Sequence, residues 1–209
     1  MLPIVHPKLE QYLESVSAPR DAVLTEMEAI AAERDFPIIG PDVGRFLFAV
    51  TRFAGAKRVL ELGSGYGYSA YWFALAMPAG GVVECIDTEP ENRAHAEAFF
   101  QRAGLADKLR FHIGEALGVA EGLEGPYDIV FNDIDKEDYP ASIAVARRLL
   151  RPGGLFVTDN ALWHGKVVDE DFDPATAGVL AFNQALAEST DFETVVLPLR
   201  DGLSVAVKL

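Results

Sequence analysis

The sequence predicts an α/β fold: a seven-stranded, mostly parallel sheet with helices on both faces and a C-terminal antiparallel hairpin. Three observations carry this. From Lys57 onward, short apolar runs alternate with amphipathic stretches, the pattern of strands joined by crossover helices. The last two runs are separated only by Pro198-Leu199-Arg200-Asp201-Gly202, too short for a crossover helix. Asp201-Gly202 suits a tight turn, so the final strand pairs antiparallel. The chain has 209 residues and is 50% hydrophobic, enough for one domain with a full core and a short extension.

The elements follow in order. Leu9, Tyr12, Leu13 and Val16 recur at helical spacing, and Val23, Leu24, Met27 and Ile30 repeat the pattern after Pro19, so residues 1–36 form a helical N-terminal extension of a single domain spanning 1–209. Phe36 to Asp42 breaks the regularity, and Asp42 can cap a helix through about Phe53. Strands are expected at Arg58–Leu62, Val82–Asp87, Leu109–Ile113, Ile129–Ile134, Leu155–Asp159, Phe192–Leu197 and Leu203–Val207. Helices are expected near Tyr68–Met77, Pro90–Ala103, Tyr139–Leu150 and Thr176–Glu188. Ligands of such sheets bind beyond the carboxyl ends of the strands, near the topological switch point.

Composition narrows the function classes. The formal net charge is −14, from 32 acidic and 18 basic side chains, and so acidic a surface repels phosphate backbones and anionic lipids. The basic clusters Lys57-Arg58, Arg147-Arg148 with Arg151, and Lys108 with Arg110 suit helix ends and strand starts better than a grip on nucleic acid. A small-molecule substrate is favoured. No uncharged apolar stretch reaches the roughly 18 residues of a membrane span. Met1 to Glu10 lacks an apolar signal core, so a cytoplasmic protein is expected. Cys85, the only cysteine, lies in the apolar run Val82 to Ile86; it excludes an internal disulfide and reads as a buried structural thiol.

The first strand runs into Glu61-Leu62-Gly63-Ser64-Gly65-Tyr66-Gly67-Tyr68-Ser69. Glycines at alternate positions permit a sharp turn and close approach of a ligand to the backbone, and the next helix offers its amide N–H groups. Tyr68 stands where a dinucleotide fingerprint needs its last glycine, and no Gly-Lys-Ser/Thr follows, so neither that fingerprint nor a P-loop is present. Glu61 suits instead the cationic amino group of the methionine part of S-adenosylmethionine (SAM). Asp87 ends the second strand 20 residues after Gly67, where an acid can accept from both ribose hydroxyls; the alternative is a cap for the Pro90 helix. In Gly114-Glu115-Ala116 a backbone amide could meet the adenine edge.

The fourth strand runs into Asn132-Asp133-Ile134-Asp135-Lys136 and the fifth into Asp159-Asn160-Ala161-Leu162-Trp163. Adjacent parallel strands bring Asp133, Asp159 and Asn160 to one rim. Two carboxylates and an amide carbonyl are hard oxygen donors suited to Mg²⁺, Mn²⁺ or Ca²⁺, leaving about three octahedral positions for water and substrate. The alternative is that both acids only cap the helices that follow.

Asn132 to Lys136 with Tyr139, and Asp159 to Val167, resemble motifs of the cation-dependent O-methyltransferases, the family of catechol and caffeoyl-CoA O-methyltransferases. The likeness extends over Pro41 to Leu47, Glu61 to Ser69, Ala103-Gly104-Leu105 and Gly114 to Leu117. It implies a Rossmann-like, class I SAM-dependent methyltransferase fold. It also implies a SAM site at Glu61, Gly63, Ser64, Ser69, Asp87, Ala116 and Asp133, with Ile39 contributing backbone. The implied metal ligands are Asp133, Asp159 and Asn160, the implied catalytic residues are Lys136 and Asp133, and a homodimer is expected. Asn132 departs from the family's usual small or apolar residue there, which is expected to alter the site's polarity.

The expected divalent-metal-dependent reaction moves the methyl group of SAM to a hydroxyl of a catechol-like or other vicinal-diol aromatic small molecule, with Lys136 taking the proton. Competing readings are a tRNA hydroxyuridine O-methyltransferase, a non-catalytic SAM-binding module and, more distantly, a nicotinamide dehydrogenase. The tRNA reading requires Lys57, Arg58, Arg147, Arg148 and Arg151 on one face beside the pocket.

Overall fold

The computed structural model describes residues 4–170 and 173–209. Along the chain run α1 (Pro7–Ser15), α2 (Ala22–Arg34), α3 (Gly40–Ala54), β1 (Arg58–Leu62), α4 (Tyr68–Ala76), β2 (Val82–Asp87), α5 (Pro90–Arg102), β3 (Leu109–Ile113) and α6 (Ala116–Glu121). There follow β4 (Tyr127–Asn132), α7 (Tyr139–Leu149), β5 (Leu150–Thr158), α8 (Pro174–Ala187), β6 (Phe192–Leu197) and β7 (Leu203–Lys208). The strand order is β3-β2-β1-β4-β5-β7-β6. Every pairing is parallel except β5 with β7 and β7 with β6. The expected fold is therefore the observed one, with its switch point between β1 and β4.

Strand periodicity builds the core on both faces. Val59, Phe131 and Val157 pack with Met27, Leu47, Phe73 and Phe100 on one side. Their chain neighbours Leu60, Val130 and Phe156 pack with Tyr139, Val179 and Phe182 on the other. Alternate residues facing opposite apolar layers explains why these strands read as nearly continuous apolar runs. Helix α4 is buried almost all round, because α3 closes over it. A Cβ on Gly44 would fall 2.2 Å from the Trp72 indole nitrogen, so only glycine allows that approach.

Several boundaries differ from expectation for local reasons. Asp42 does not cap α3: the helix begins at Gly40, with Ile39 as its N-cap residue and Pro41 in the first turn, where a missing N–H costs nothing. Strand β5 starts at Leu150 rather than Leu155 because Leu150 pairs with Tyr127 before a register shift; the intervening Pro152-Gly153-Gly154 reads as a turn in sequence. Six-residue α6 is too short to leave a periodic signal.

The basic clusters have local partners. Arg58 pairs with Glu84 at 3.1 Å, Arg151 with Asp128 at 2.7 Å and Arg147 with Asp191 at 3.3 Å. Arg148 donates to the carbonyls of Leu123 and Ala120, and Lys108 to those of Ala74 and Met77. Arg58 and Arg151 lie at strand starts, at the end of the sheet away from the carboxyl rim. No helix among the described residues is long and apolar enough to cross a membrane. Cys85 is fully buried, and burial pushes its thiol pKa well up, as expected of a packing residue.

Candidate active site

A cavity of about 630 Å³ opens at the carboxyl rim of the sheet, a volume suited to small-molecule ligands. It is lined by the β1–α4 loop, the ends of β2, β4 and β5, the start of α3, and the β6–β7 turn. Ile39, Gly63, Ser64, Ser69, Asp87, Ala116, Asp133, Lys136, Asp159 and Asn160 all border it. Glu61 does not border it: it is fully buried behind Ser69, whose hydroxyl it accepts from. None of Lys57, Arg58, Arg147, Arg148 or Arg151 borders it, so the surface a tRNA reading requires is not assembled.

In the half formed by β1 to β3, backbone geometry does most of the shaping. Gly63 (φ 78°) lies so close to the end of β4 that a Cβ would stand 2.4 Å from the Asp133 carbonyl oxygen. The Gly63 and Ser64 amides donate to the Ile86 carbonyl at 3.1 and 3.0 Å. Asp87 holds the loop tip: one carboxylate oxygen accepts from the Gly65 amide at 2.9 Å. The other accepts from the Glu89 amide and the Asn92 side chain, each at 2.9 Å. Asp87 thus binds the amide of Glu89, the residue before α5, whose N-cap has no side-chain cap hydrogen bond, and it also borders the cavity. The Glu61 carboxylate accepts from Ser69 Oγ, and from Cys85 Sγ at 3.4 Å. Burial pushes its pKa up to about 7 despite those hydrogen bonds, and the Asp133 charge adds to the rise. Such a group gains most from a cationic partner.

In the other half, β4 and β5 present their ends side by side, with Asn132 paired to Thr158. Asp133 and Asp159 follow directly. Asp159 is buried, its Oδ1 has no hydrogen-bond partner, and its Oδ2 meets Arg200 Nη1 at 3.5 Å. Burial, and then the Asp133 charge, raise its pKa. Asn160 (φ 56°) donates Nδ2 to Asp201 Oδ2 at 2.9 Å, which leaves its carbonyl oxygen free. Asp201 also accepts from the His164 amide and lies 3.5 Å from His164 Nδ1. Tyr139 Oη donates to the Asp159 carbonyl at 3.0 Å. An orphaned buried carboxylate oxygen, a second carboxylate and an amide carbonyl form a donor set that fits a hard divalent cation. Among the described residues no group of three His, Cys, Asp or Glu side chains could hold a metal; this set has two acids and one amide.

Lys136 Nζ lies 2.9 Å from Asp133 Oδ1 and 3.2 Å from the Ile134 carbonyl. It also stands 4.8 Å from the Tyr139 ring centroid and 5.5 Å from that of Trp163. Its side chain is only 12% exposed, so it is not a solvated surface ammonium. Trp163 borders the cavity with His164. One expectation is corrected: Asn132 is fully buried and does not border the cavity, so it adds no polarity there. Its pairing to Thr158, which pairs with Ser204, sets these three on one face beneath the rim. Sequence reading missed Arg200 and Asp201 as site residues. Their signal was the hairpin itself, since inserting β7 beside β5 carries its turn to the rim.

Comparison with known proteins follows the same lines. The family model described as O-methyltransferase matches residues 14–209. A catechol O-methyltransferase of Niastella koreensis is 32% identical over 97% of this chain and 97% of its own length. Caffeoyl-CoA O-methyltransferase 2 of Zea mays is 34% identical over 94% of this chain and 81% of its own. The crystal structure of a Bacillus cereus O-methyltransferase in complex with SAH superposes with a TM-score of 0.88, at 29% identity over 97% of both chains.

Proposed function

The chain belongs to the O-methyltransferase family and is an enzyme that uses SAM, and from that premise we propose that it methylates one of two neighbouring hydroxyls on a catechol-like small molecule, with a divalent cation bound beside Lys136. The observation that carries this reading is the shared cavity: the glycine loop opens onto the same space as Asp133, Lys136, Asp159 and Asn160.

In this reading Glu61 receives the amino group of SAM, and Ser69 and the Gly63–Ser64 turn surround its methionine part. Asp87 has lone pairs left for the ribose hydroxyls, and Ala116 borders the adenine end. Asp133, Asp159 and the Asn160 carbonyl hold the cation, with Mg²⁺ the first choice and Mn²⁺ or Ca²⁺ alternatives. When bound, the cation favours the ionised form of the reacting hydroxyl. Lys136 Nζ, in its neutral form, takes the hydroxyl proton. The oxygen's electron pair then forms the bond to the methyl carbon, and the C–S pair leaves with the sulfur. Holding both reactants in register supplies much of the acceleration. Trp163 provides a flat wall for the acceptor ring.

The test is methyl transfer from labelled SAM to a panel of catechols, with chelator and with added Mg²⁺. Activity that vanishes with chelator and returns with Mg²⁺ is expected. Full activity in chelator removes the cation from the reading. We further propose a homodimer, supported by the uncovered apolar residues of the first helix and its C-cap: Leu9, Tyr12 and Val16 are 56, 62 and 60% exposed. A monomer in sedimentation velocity at micromolar concentration would reject it.

A further inference from the structure

Arg200 sits at the tip of the β6–β7 turn with φ 51°, a left-handed conformation that is strained for any residue with a Cβ. Its side chain turns into the cavity: Nε and Cδ lie 3.5 and 3.6 Å from where a Cβ on Gly40 would stand, and Nη1 lies 3.5 Å from Asp159 Oδ2. That contact is long and the side chain is 43% exposed, so the ion pair stabilises little. A single long contact to a buried carboxylate does not explain a strained, half-exposed arginine at this position.

Among the described residues, Lys136 and Arg200 are the two Lys or Arg side chains bordering the cavity. Lys136 is occupied by Asp133 and the Ile134 carbonyl. Arg200 engages one of five N–H donors. The strand order sets its side: Asp87 and Ala116 follow β2 and β3, whereas Arg200 lies beyond β5, across the candidate cation ligands. It therefore faces the acceptor and not the nucleoside.

We propose that Arg200 selects acceptors carrying a carboxylate, which its guanidinium binds as a two-pronged pair while the vicinal oxygens face Asp133, Asp159 and Asn160. This rests on the O-methyltransferase reading and names the substrate class within it.

The test is equilibrium binding to the full chain with Mg²⁺ and S-adenosylhomocysteine. The probes are 3,4-dihydroxybenzoate and its uncharged methyl ester. Wild-type protein is expected to prefer the acid by about tenfold or more. Arg200→Gly, which suits the backbone conformation, is expected to bring the ratio near one, and Arg200→Lys to retain part of it. An unchanged ratio in Arg200→Gly overturns the proposal, as does a wild-type protein that binds neither probe or binds both equally. Methyl transfer to uncharged catechol is measured separately. Intact, chelator-sensitive transfer without a carboxylate preference rejects only the role of Arg200. Absence of transfer to any acceptor rejects the reading beneath it.

Discussion

The carbonyl oxygen of Lys136 lies 2.1 Å from where a Cβ on Gly178 would stand, and the Cα of Glu137 lies 2.9 Å from it. Backbone of α8 thus presses directly on the short 3-10 turn Lys136–Asp138 and sets the depth at which Lys136 enters the cavity. Gly178→Ala should cost about 1–3 kcal/mol through overpacking and lower kcat by displacing that turn. Thermal unfolding and turnover check both, and a variant unchanged in each would show that the turn gives way freely.

Asp133→Ala should abolish methyl transfer while leaving SAM binding within about threefold, because Glu61, Ser69 and Asp87 stay in place. Lys136→Ala should lower kcat by about 10²-fold or more, the scale of a lost general base, with little effect on SAM affinity. Unchanged turnover in Lys136→Ala would leave that side chain as a packing group under Trp163.

Glu61 sets a pH dependence whose sign is fixed. Its folded pKa, about 7, lies above the usual 4.5, so the folded apo-protein binds more protons than the unfolded chain between those values. Stability from this group is fully present below pH 4.5 and is lost as pH rises through 7. Above pH 7 Glu61→Gln should be more stable than wild type by an amount on the order of 3 kcal/mol, read from urea midpoints. In the proposed reading the SAM amino group meets the ionised carboxylate, so SAM affinity should fall about tenfold per unit below pH 7. Calorimetric titration of the wild type at pH 5.5, 6.5 and 7.5 checks this, and a flat profile would mean that Glu61 does not meet the amino group.

Asp201 holds the side chain of Asn160 and the backbone of His164 with opposite oxygens of one carboxylate. In Asp201→Asn the amide's NH₂ end would face one of those donors. Weaker Mn²⁺ binding, by about 10–100-fold, is expected in paramagnetic titrations, with SAM affinity preserved. Unaltered Mn²⁺ affinity would separate Asn160 from the cation.

Among the described residues, neither polar atom of the Asn132 amide has a hydrogen-bond partner, and nor do Thr158 Oγ1 and Ser204 Oγ. Asn132→Leu, apolar and of similar volume, should therefore raise stability by about 1–2 kcal/mol. A fall in melting temperature would point to a hydrogen bond that the amide makes through water.

The half of the cavity formed by β1 to β3 was legible because it is local: strand, glycine loop and acid lie between Glu61 and Asp87. Asp133 and Asp159 were legible because each directly follows a strand, and consecutive parallel strands share a rim. Arg200 and Asp201 were hidden because pairing partners within a hairpin do not reveal which strand joins the sheet. The fate of Asn132 was hidden because burial depends on the face that residue presents, and its motif neighbours all face the cavity. Similarly, the α3 start was misread because Asp42 is a good capping residue while Pro41 decides the turn.

The insertion of β7 between β5 and β6 has a consequence for assembly. The glycine loop leans on Asp133 at the end of β4, whereas the carboxylate that accepts from Asn160 arrives 41 residues after that asparagine. That partner comes in the turn before β7, the penultimate strand in the sheet and the last in the chain, so the rim around Asn160 is completed only by the C-terminal hairpin. Loss of the final strand would remove the centre of that half of the sheet, and with it the pairing that holds the Arg200–Asp201 turn at the rim.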